Sequence, residues 1–278
     1  MAGPEELPSD PRDVAFWVPP FMPEREIDAL VARLPGLRAV QLMSAGADAW
    51  IGRLPAGVTL CDARGVHDSP TAEWVVGAIL ACVREFPLFA RVQQRGEWAY
   101  RHTGELTGKR VLIVGAGSIG RAVEARLAPF GVTVTRVARR PRAGVSGVAD
   151  LPRLLPAADV VVLLVPLTDE TRGLVSAGFL ARLADGALLV NAARGPVVDT
   201  EAVTAAARTG RIAYATDVTD PEPLPPGHEL WRLPNVFITP HVAGSVSGLW
   251  RRGYALAAAQ LRRFLAGEPL ENVVTDGY

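Results

Sequence analysis

Apolar and polar positions divide the chain near residue 110. Before that point the apolar runs are short and unevenly spaced. Residues 14–18 read as a strand, and residues 24–33 as a helix with Ile27, Leu30 and Val31 on one face. Residues 38–42 and 58–61 read as two more strands, the first running into a loop of small residues, Ser44-Ala45-Gly46-Ala47-Asp48. Pro70 then opens a long helix, from Thr71 to about Gln94. Its apolar residues, among them Trp74, Val75, Val76, Ile79, Leu80 and Val83, surround much of the cylinder, which predicts burial between two packed layers. The first ten residues or so, with Glu5, Glu6 and Asp10, read as unstructured.

After Arg110 the rhythm becomes a strict alternation of strands and helices. Strands are predicted at 111–114, 132–137, 160–165, 188–191, 213–217 and 236–239. Helical spacing lies between them, as in Ala122, Val123 and Leu127 or over residues 201–207, and an amphipathic helix closes the chain at about 249–265. Several strands are apolar without alternation, as expected of a parallel sheet covered on both faces. The pattern predicts a doubly wound α/β domain.

Composition narrows the chemistry. The 278 residues carry 29 basic and 29 acidic side chains, a net charge of zero that argues against a nucleic-acid binder relying on bulk electrostatics. The two cysteines, Cys61 and Cys82, form no CxxC pair, so a zinc ribbon or disulfide framework is excluded and a reducing cytoplasm is the default expectation. The one lysine, Lys109, is followed by Arg110 and fails the Walker A pattern. The most apolar run, residues 74–83, is about half of a membrane span of roughly 20 residues.

Two motifs point to a dinucleotide. Gly115-Ala116-Gly117-Ser118-Ile119-Gly120 fits G-x-G-x-x-G and stands between a strand and a helix, the context in which the motif carries weight. The first glycine permits a tight turn, the second lets the backbone approach a pyrophosphate, and the third lets helix and strand pack closely. Past the next strand an NAD site normally has an acidic residue for the ribose hydroxyls. Here no acidic residue occurs between Glu124 and Asp150, and the strand ends in Ala138-Arg139-Arg140-Pro141-Arg142. Two readings stand: Arg139 and Arg140 clamp a 2′-phosphate, which favours NADP(H) with NAD(H) possible, or the run is a solvated basic turn.

The ends of the later strands carry more chemistry. They are Pro166-Leu167-Thr168-Asp169-Glu170-Thr171, Asn191-Ala192-Ala193-Arg194-Gly195, the run from Asp217 through Glu222, and Thr239-Pro240-His241. All fall at carboxyl ends of parallel strands, where ligands bind in such sheets. Together with the 44–48 loop and the glycine run, these motifs resemble the D-isomer-specific 2-hydroxyacid dehydrogenases, from about Val14 to the end of the chain.

The resemblance implies an oxidoreductase moving a hydride between NADP(H) or NAD(H) and a small 2-oxoacid such as glyoxylate or hydroxypyruvate, as a cytoplasmic homodimer. Its implied catalytic residues are Arg194, Glu222 and His241. A planar guanidinium suits a carboxylate beside a carbonyl. A histidine suits acid/base work near neutral pH, and a glutamate on its other nitrogen favours the imidazolium. The implied cofactor contacts are Gly115, Gly117, Ser118, Ile119, Gly120, Arg139, Arg140, Pro166, Thr171, Ala192, Asp217 and Gly244, with Asp217 at the nicotinamide carboxamide. Ser44, Ala45, Gly46 and Ala47 are implied, with Arg194, to bind the substrate. His67, His102 and His228 read as structural or surface residues.

The implied architecture is a Rossmann cofactor domain, residues 70–244, inserted in a smaller flavodoxin-like substrate domain, residues 1–69 plus 245–278. Compared with the family, some 40 to 50 residues before the strand at Val14 are expected to be missing, which shortens the smaller sheet. Two alternatives stay open: phosphite or formate oxidation on the same fold, and a nucleotide-sensing, corepressor-like binding protein without catalysis.

Overall fold

The computed structural model describes residues 10–21 and 24–275. The stretch expected to be unstructured lies, up to residue 9, outside the described residues. The chain divides into two compact units, residues 68–246 and residues 1–67 with 247–278.

The smaller unit begins with β1 (Phe16–Trp17), α1 (Glu24–Val31), β2 (Ala39–Gln41) and β3 (Thr59–Cys61). Its sheet is parallel, in the order β1-β2-β3. Ile27, Leu30 and Val31 of α1 are all buried, as their spacing predicts. Ile27 and Val31 join Val40, Leu42, Trp50 and Leu60 in one core. The 44–48 loop leaves the end of β2, where the Ser44 hydroxyl donates to the Gly46 carbonyl (2.7 Å) and the Ala63 amide donates to the Ser44 carbonyl (2.8 Å).

The larger unit opens with α2 (Asp68–Val83) and α3 (Phe86–Gln94). One continuous helix was the expectation, and the structure corrects it: Glu85 takes a left-handed backbone (φ 55°) and caps a new helix with Pro87 in its first turn. Proline's missing amide and fixed φ suit the start of a helix and not its interior. Then follow β4 (Arg110–Val114), α4 (Ser118–Leu127), β5 (Thr133–Ala138), β6 (Ser146–Gly147), α5 (Leu151–Leu154) and β7 (Val160–Leu163). After these come α6 (Ala177–Leu180), β8 (Ala187–Asn191), α7 (Thr200–Arg208), β9 (Ile212–Thr216) and β10 (Val236–Ile238). The chain returns to the smaller unit for α8 (Leu249–Ala266).

The large sheet is parallel throughout, in the order β10-β9-β8-β7-β4-β5-β6. Its central strands alternate between two cores. Leu112, Val114, Val161, Leu163 and Leu189 pack on one face against Leu151, Phe179 and Val203 of the helices there. Val111, Ile113, Val160, Val162, Leu188 and Val190 pack on the other against Val75 and Ile79 of α2 and Val123 and Leu127 of α4. Burial on both faces is why these strands lack polar alternation. The order reverses between β4 and β7, and such a switch opens a crevice at the carboxyl ends of the strands. No helix among the described residues is long and apolar enough to cross a membrane.

Candidate active site

The glycine run forms the turn from β4 into α4. Gly115 sits at φ 124°, and a Cβ there would lie 2.5 Å from the Leu164 carbonyl oxygen. At Gly120 it would lie 2.1 Å from the Gly115 oxygen, so these two positions are glycine because the turn closes on itself and on β7. Gly117 differs: a Cβ there would meet nothing within 4 Å. The protein's own packing does not require glycine at 117, whereas a phosphate lying against the start of α4 would. The residues present therefore fit a dinucleotide. Ser118 donates its hydroxyl to Asp68 Oδ1 (3.0 Å), tying the turn to the start of α2, and Ile119 packs into the core beneath.

Arg139 and Arg140 follow β5 and are exposed. The structure adds a third arginine: Arg142 donates from its guanidinium to the Ala116 carbonyl (3.0 Å), inside the glycine turn. Its signal in the sequence was membership of the same basic run, and its partner was not legible there. Pro166 and Thr171 lie in the loop after β7, where the Thr171 hydroxyl donates to the Pro166 carbonyl (2.6 Å) and accepts from the Thr168 amide (2.8 Å). Thr171 thus braces its own loop. Ala192 is half-buried just past β8, and Gly244 is half-buried in the turn after Ala243.

Arg194 is held by its neighbours. Asn191, fully buried at the end of β8, accepts from the Ala193 amide (3.0 Å) and donates to the Arg194 carbonyl (3.1 Å). In the sequence Asn191 stands only as the end of a strand, and the brace arises from folding of the turn. At the next residue, Gly195, a Cβ would lie 1.9 Å from the Thr219 carbonyl oxygen. Only glycine lets the Arg194 turn press against the segment leading to Glu222. Glu222 in turn accepts from the Thr219 amide on Oε2 (3.4 Å) and meets His241 Nδ1 with Oε1 at 2.6 Å. Both side chains of that pair are partly exposed.

His241 follows β10 with φ 55°, the left-handed region. A non-glycine residue there costs roughly 1–2 kcal/mol, which the surroundings must offset. Its amide donates to the Asp217 carbonyl (2.7 Å). The Asp217 carboxylate, 3% exposed at the residue level, accepts from Thr239 Oγ1 (2.6 Å), the Val242 amide (2.8 Å) and the Ala243 amide (2.8 Å). A carboxylate offers about four acceptor positions, so one is left for any further donor. Asp217 is first of all the anchor of the His241 turn.

The remaining candidates serve structure. His67 Nε2 lies 2.8 Å from the Met43 carbonyl, His228 Nδ1 accepts from the Leu230 amide (3.2 Å), and His102 is exposed. Burial pushes the Cys61 thiol up to about 11 and the Cys82 thiol up to about 12, so neither supplies a thiolate at neutral pH.

Residues 76–243 match the family described as D-isomer specific 2-hydroxyacid dehydrogenase, NAD binding domain. The chain is 39% identical over 225 residues to a glyoxylate reductase of Thermofilum pendens, an overlap covering 76% of this chain and 66% of that one. It is 36% identical over 238 residues to the chloroplastic/mitochondrial formate dehydrogenase of Arabidopsis thaliana, covering 80% and 62%. The chain therefore spans just under two thirds of the length of these relatives. A solved structure of a D-isomer specific 2-hydroxyacid dehydrogenase from Xanthobacter autotrophicus Py2, in complex with NADPH and MES, superposes with a TM-score of 0.87. It is 37% identical, and the match covers 100% of this chain and 90% of that one.

Proposed function

The chain belongs to the D-isomer-specific 2-hydroxyacid dehydrogenase family, and on that premise we propose that it reduces a small 2-oxoacid to the 2-hydroxyacid with NADP(H). The observation that carries the reading is the His241–Glu222 pair at 2.6 Å. Glu222 occupies Nδ1, so Nε2 is the ring nitrogen left to exchange a proton with substrate. When bound, the dinucleotide supplies the hydride that reaches C2 of the oxoacid.

The chain's own residues supply the rest. Arg194 holds the substrate carboxylate and the C2 carbonyl oxygen in one planar grip and draws charge toward that oxygen. His241 delivers the proton from Nε2 to the same oxygen as charge develops on it, giving the hydroxyl, and takes it back in the reverse direction. Glu222 fixes the ring by holding its Nδ1. The turn at Gly117 and the start of α4 receive the pyrophosphate, and Arg139 and Arg140 meet the 2′-phosphate. NADPH in the Xanthobacter structure supports that choice of cofactor.

Formate oxidation is disfavoured by the same pair. Formate yields carbon dioxide by losing a hydride alone, with no oxygen-bound proton to move, so a glutamate-braced histidine would be idle. The partners in this reading are the oxoacid, the dinucleotide and a second copy of the chain in the cytoplasm. The second copy is supported by two neighbouring large aromatic side chains left exposed, Trp98 at 96% and Tyr100 at 80%.

The test is oxidation of NADPH and NADH against a panel of 2-oxoacids, with formate and NADP+ in the reverse direction. Reduction of at least one 2-oxoacid is expected, falling by about 100-fold or more in His241→Ala. Replacing Arg139 and Arg140 together by alanine is expected to raise the KM for NADPH by about tenfold and leave that for NADH unchanged. Equal negligible rates in wild type and His241→Ala, or turnover of formate alone, would overturn the reading.

A further inference from the structure

We propose that Trp74, Thr239 and Asp217 form a positioning relay that holds His241 in its left-handed conformation and so aims its ring at Glu222. The proposal rests on the reading of His241 as acid/base. Three successive amides, those of His241, Val242 and Ala243, converge on Asp217, the first on its carbonyl and the others on the two carboxylate oxygens. Thr239 Oγ1 donates to Asp217 Oδ1 at 2.6 Å and accepts from Trp74 Nε1 at 3.0 Å. The indole N–H has no acceptor role, so it fixes the direction of the threonine proton toward the carboxylate.

The relay reaches far along the chain. Trp74 lies 165 residues before Thr239, on α2, which packs against α4 and the large sheet. The turn bearing His241 is thereby tied to a rigid helix by a bond that no local sequence could supply.

The opposite side of the histidine cannot do this work. The Glu222–His241 pair is partly exposed on both partners, where water competes for each group. A side chain's direction follows its backbone dihedrals, so a histidine that relaxed out of the left-handed region would carry its ring away from Glu222. Asp217 opposes that relaxation through three amides at once, one on its backbone carbonyl and two on its buried carboxylate, and the threonine and tryptophan keep the carboxylate in register. Thr239 and Trp74 act through Asp217 and are positioning residues.

The relay is tested in the full chain by two readouts on Thr239→Val, Thr239→Ser and Trp74→Phe. The first is amide hydrogen exchange of the peptide containing His241, Val242 and Ala243, which needs no activity. The second is kcat for the best 2-oxoacid with the KM for cofactor. In Thr239→Val, exchange of those amides is expected to quicken about tenfold or more while strands β4, β7 and β8 stay protected. Its kcat is expected to fall by about 10- to 100-fold with the cofactor KM within about twofold of wild type. Thr239→Ser, which keeps the hydroxyl, is expected to restore both values, and Trp74→Phe to fall between.

Exchange in Thr239→Val matching wild type would overturn the relay. So would quickened exchange with kcat unchanged, or failure of Thr239→Ser to rescue. If Thr239→Val unfolds the larger unit, Trp74→Phe carries the same two readouts with a ring still in place. If the wild type reduces no oxoacid, the catalytic reading fails by itself, and the exchange rates still decide whether the relay holds the turn.

Discussion

At the scale of single residues, the site depends on positions where one atom more would not fit. Gly195 is the clearest, because a Cβ would overlap the Thr219 carbonyl at 1.9 Å. Gly195→Ala must push the Arg194 turn away from the Glu222 segment, and a displacement of about 1 Å at reacting groups costs on the order of 100-fold in rate. The expected outcome is that loss in kcat/KM for the oxoacid, with about 1–3 kcal/mol of destabilisation by chemical denaturation. A variant with wild-type kcat/KM would show that the two turns need not touch. The candidate residues Arg194, Glu222 and His241 were legible in the sequence through strand-end motifs that resemble a known family. Their braces were not. Asn191 could be read only as a strand end, and Asp217 as a cofactor ligand, because their partners arrive through tertiary folding. Asp217 receives amides 25 and 26 residues downstream, and Trp74 meets a threonine 165 residues away.

At the scale of elements, β-branched and leucine-rich runs identified the large sheet's main strands. Local signals were weaker where tertiary contacts decide. The pair Ser146–Gly147 forms β6 by pairing with the end of β5, a length too short for any periodicity. The break between α2 and α3 had a visible cause in Pro87, but the apolar run across it masked the signal. The joint between α8 and the smaller sheet is also tertiary. Gln260, buried on α8, donates to Gln41 Oε1 (2.9 Å) and to the Glu271 carbonyl (2.6 Å), and accepts from the Glu271 amide (3.0 Å). Gln41 in turn donates to the Leu42 and Asp62 carbonyls. Every member of this buried network is paired, so removing one strands the others. Gln260→Ala is expected to cost about 2–3 kcal/mol in urea unfolding of the smaller unit, with less effect on the larger. Equal loss in both units, or none, would count against this account of the joint.

For the whole molecule, response to acid and order of assembly follow from where the bonds lie. Asp159, just before β7, takes the Arg110 amide (2.7 Å) and two guanidinium bonds from Arg110 at the head of β4. The side-chain bonds to Arg110, foremost, hold its carboxyl below the usual carboxylate range. A group whose folded pKa is depressed adds stability above its unfolded value, near 4, and loses it as pH falls through the folded value. Asp159→Asn is therefore expected to lower stability by about 1 kcal/mol at neutral pH, and the two unfolding curves should converge in stronger acid. A constant gap at every pH would rule out the ion pair as the cause. The division of the chain has a consequence for synthesis. The larger unit is complete once residue 246 has been made, while the smaller one waits for α8 and the strand-pairing residue Val273. On the ribosome, residues 10–67 thus emerge first yet finish last. They remain without α8 until residues 249–266 have left the ribosome, which happens only after the last strand of the larger unit, β10, has done so.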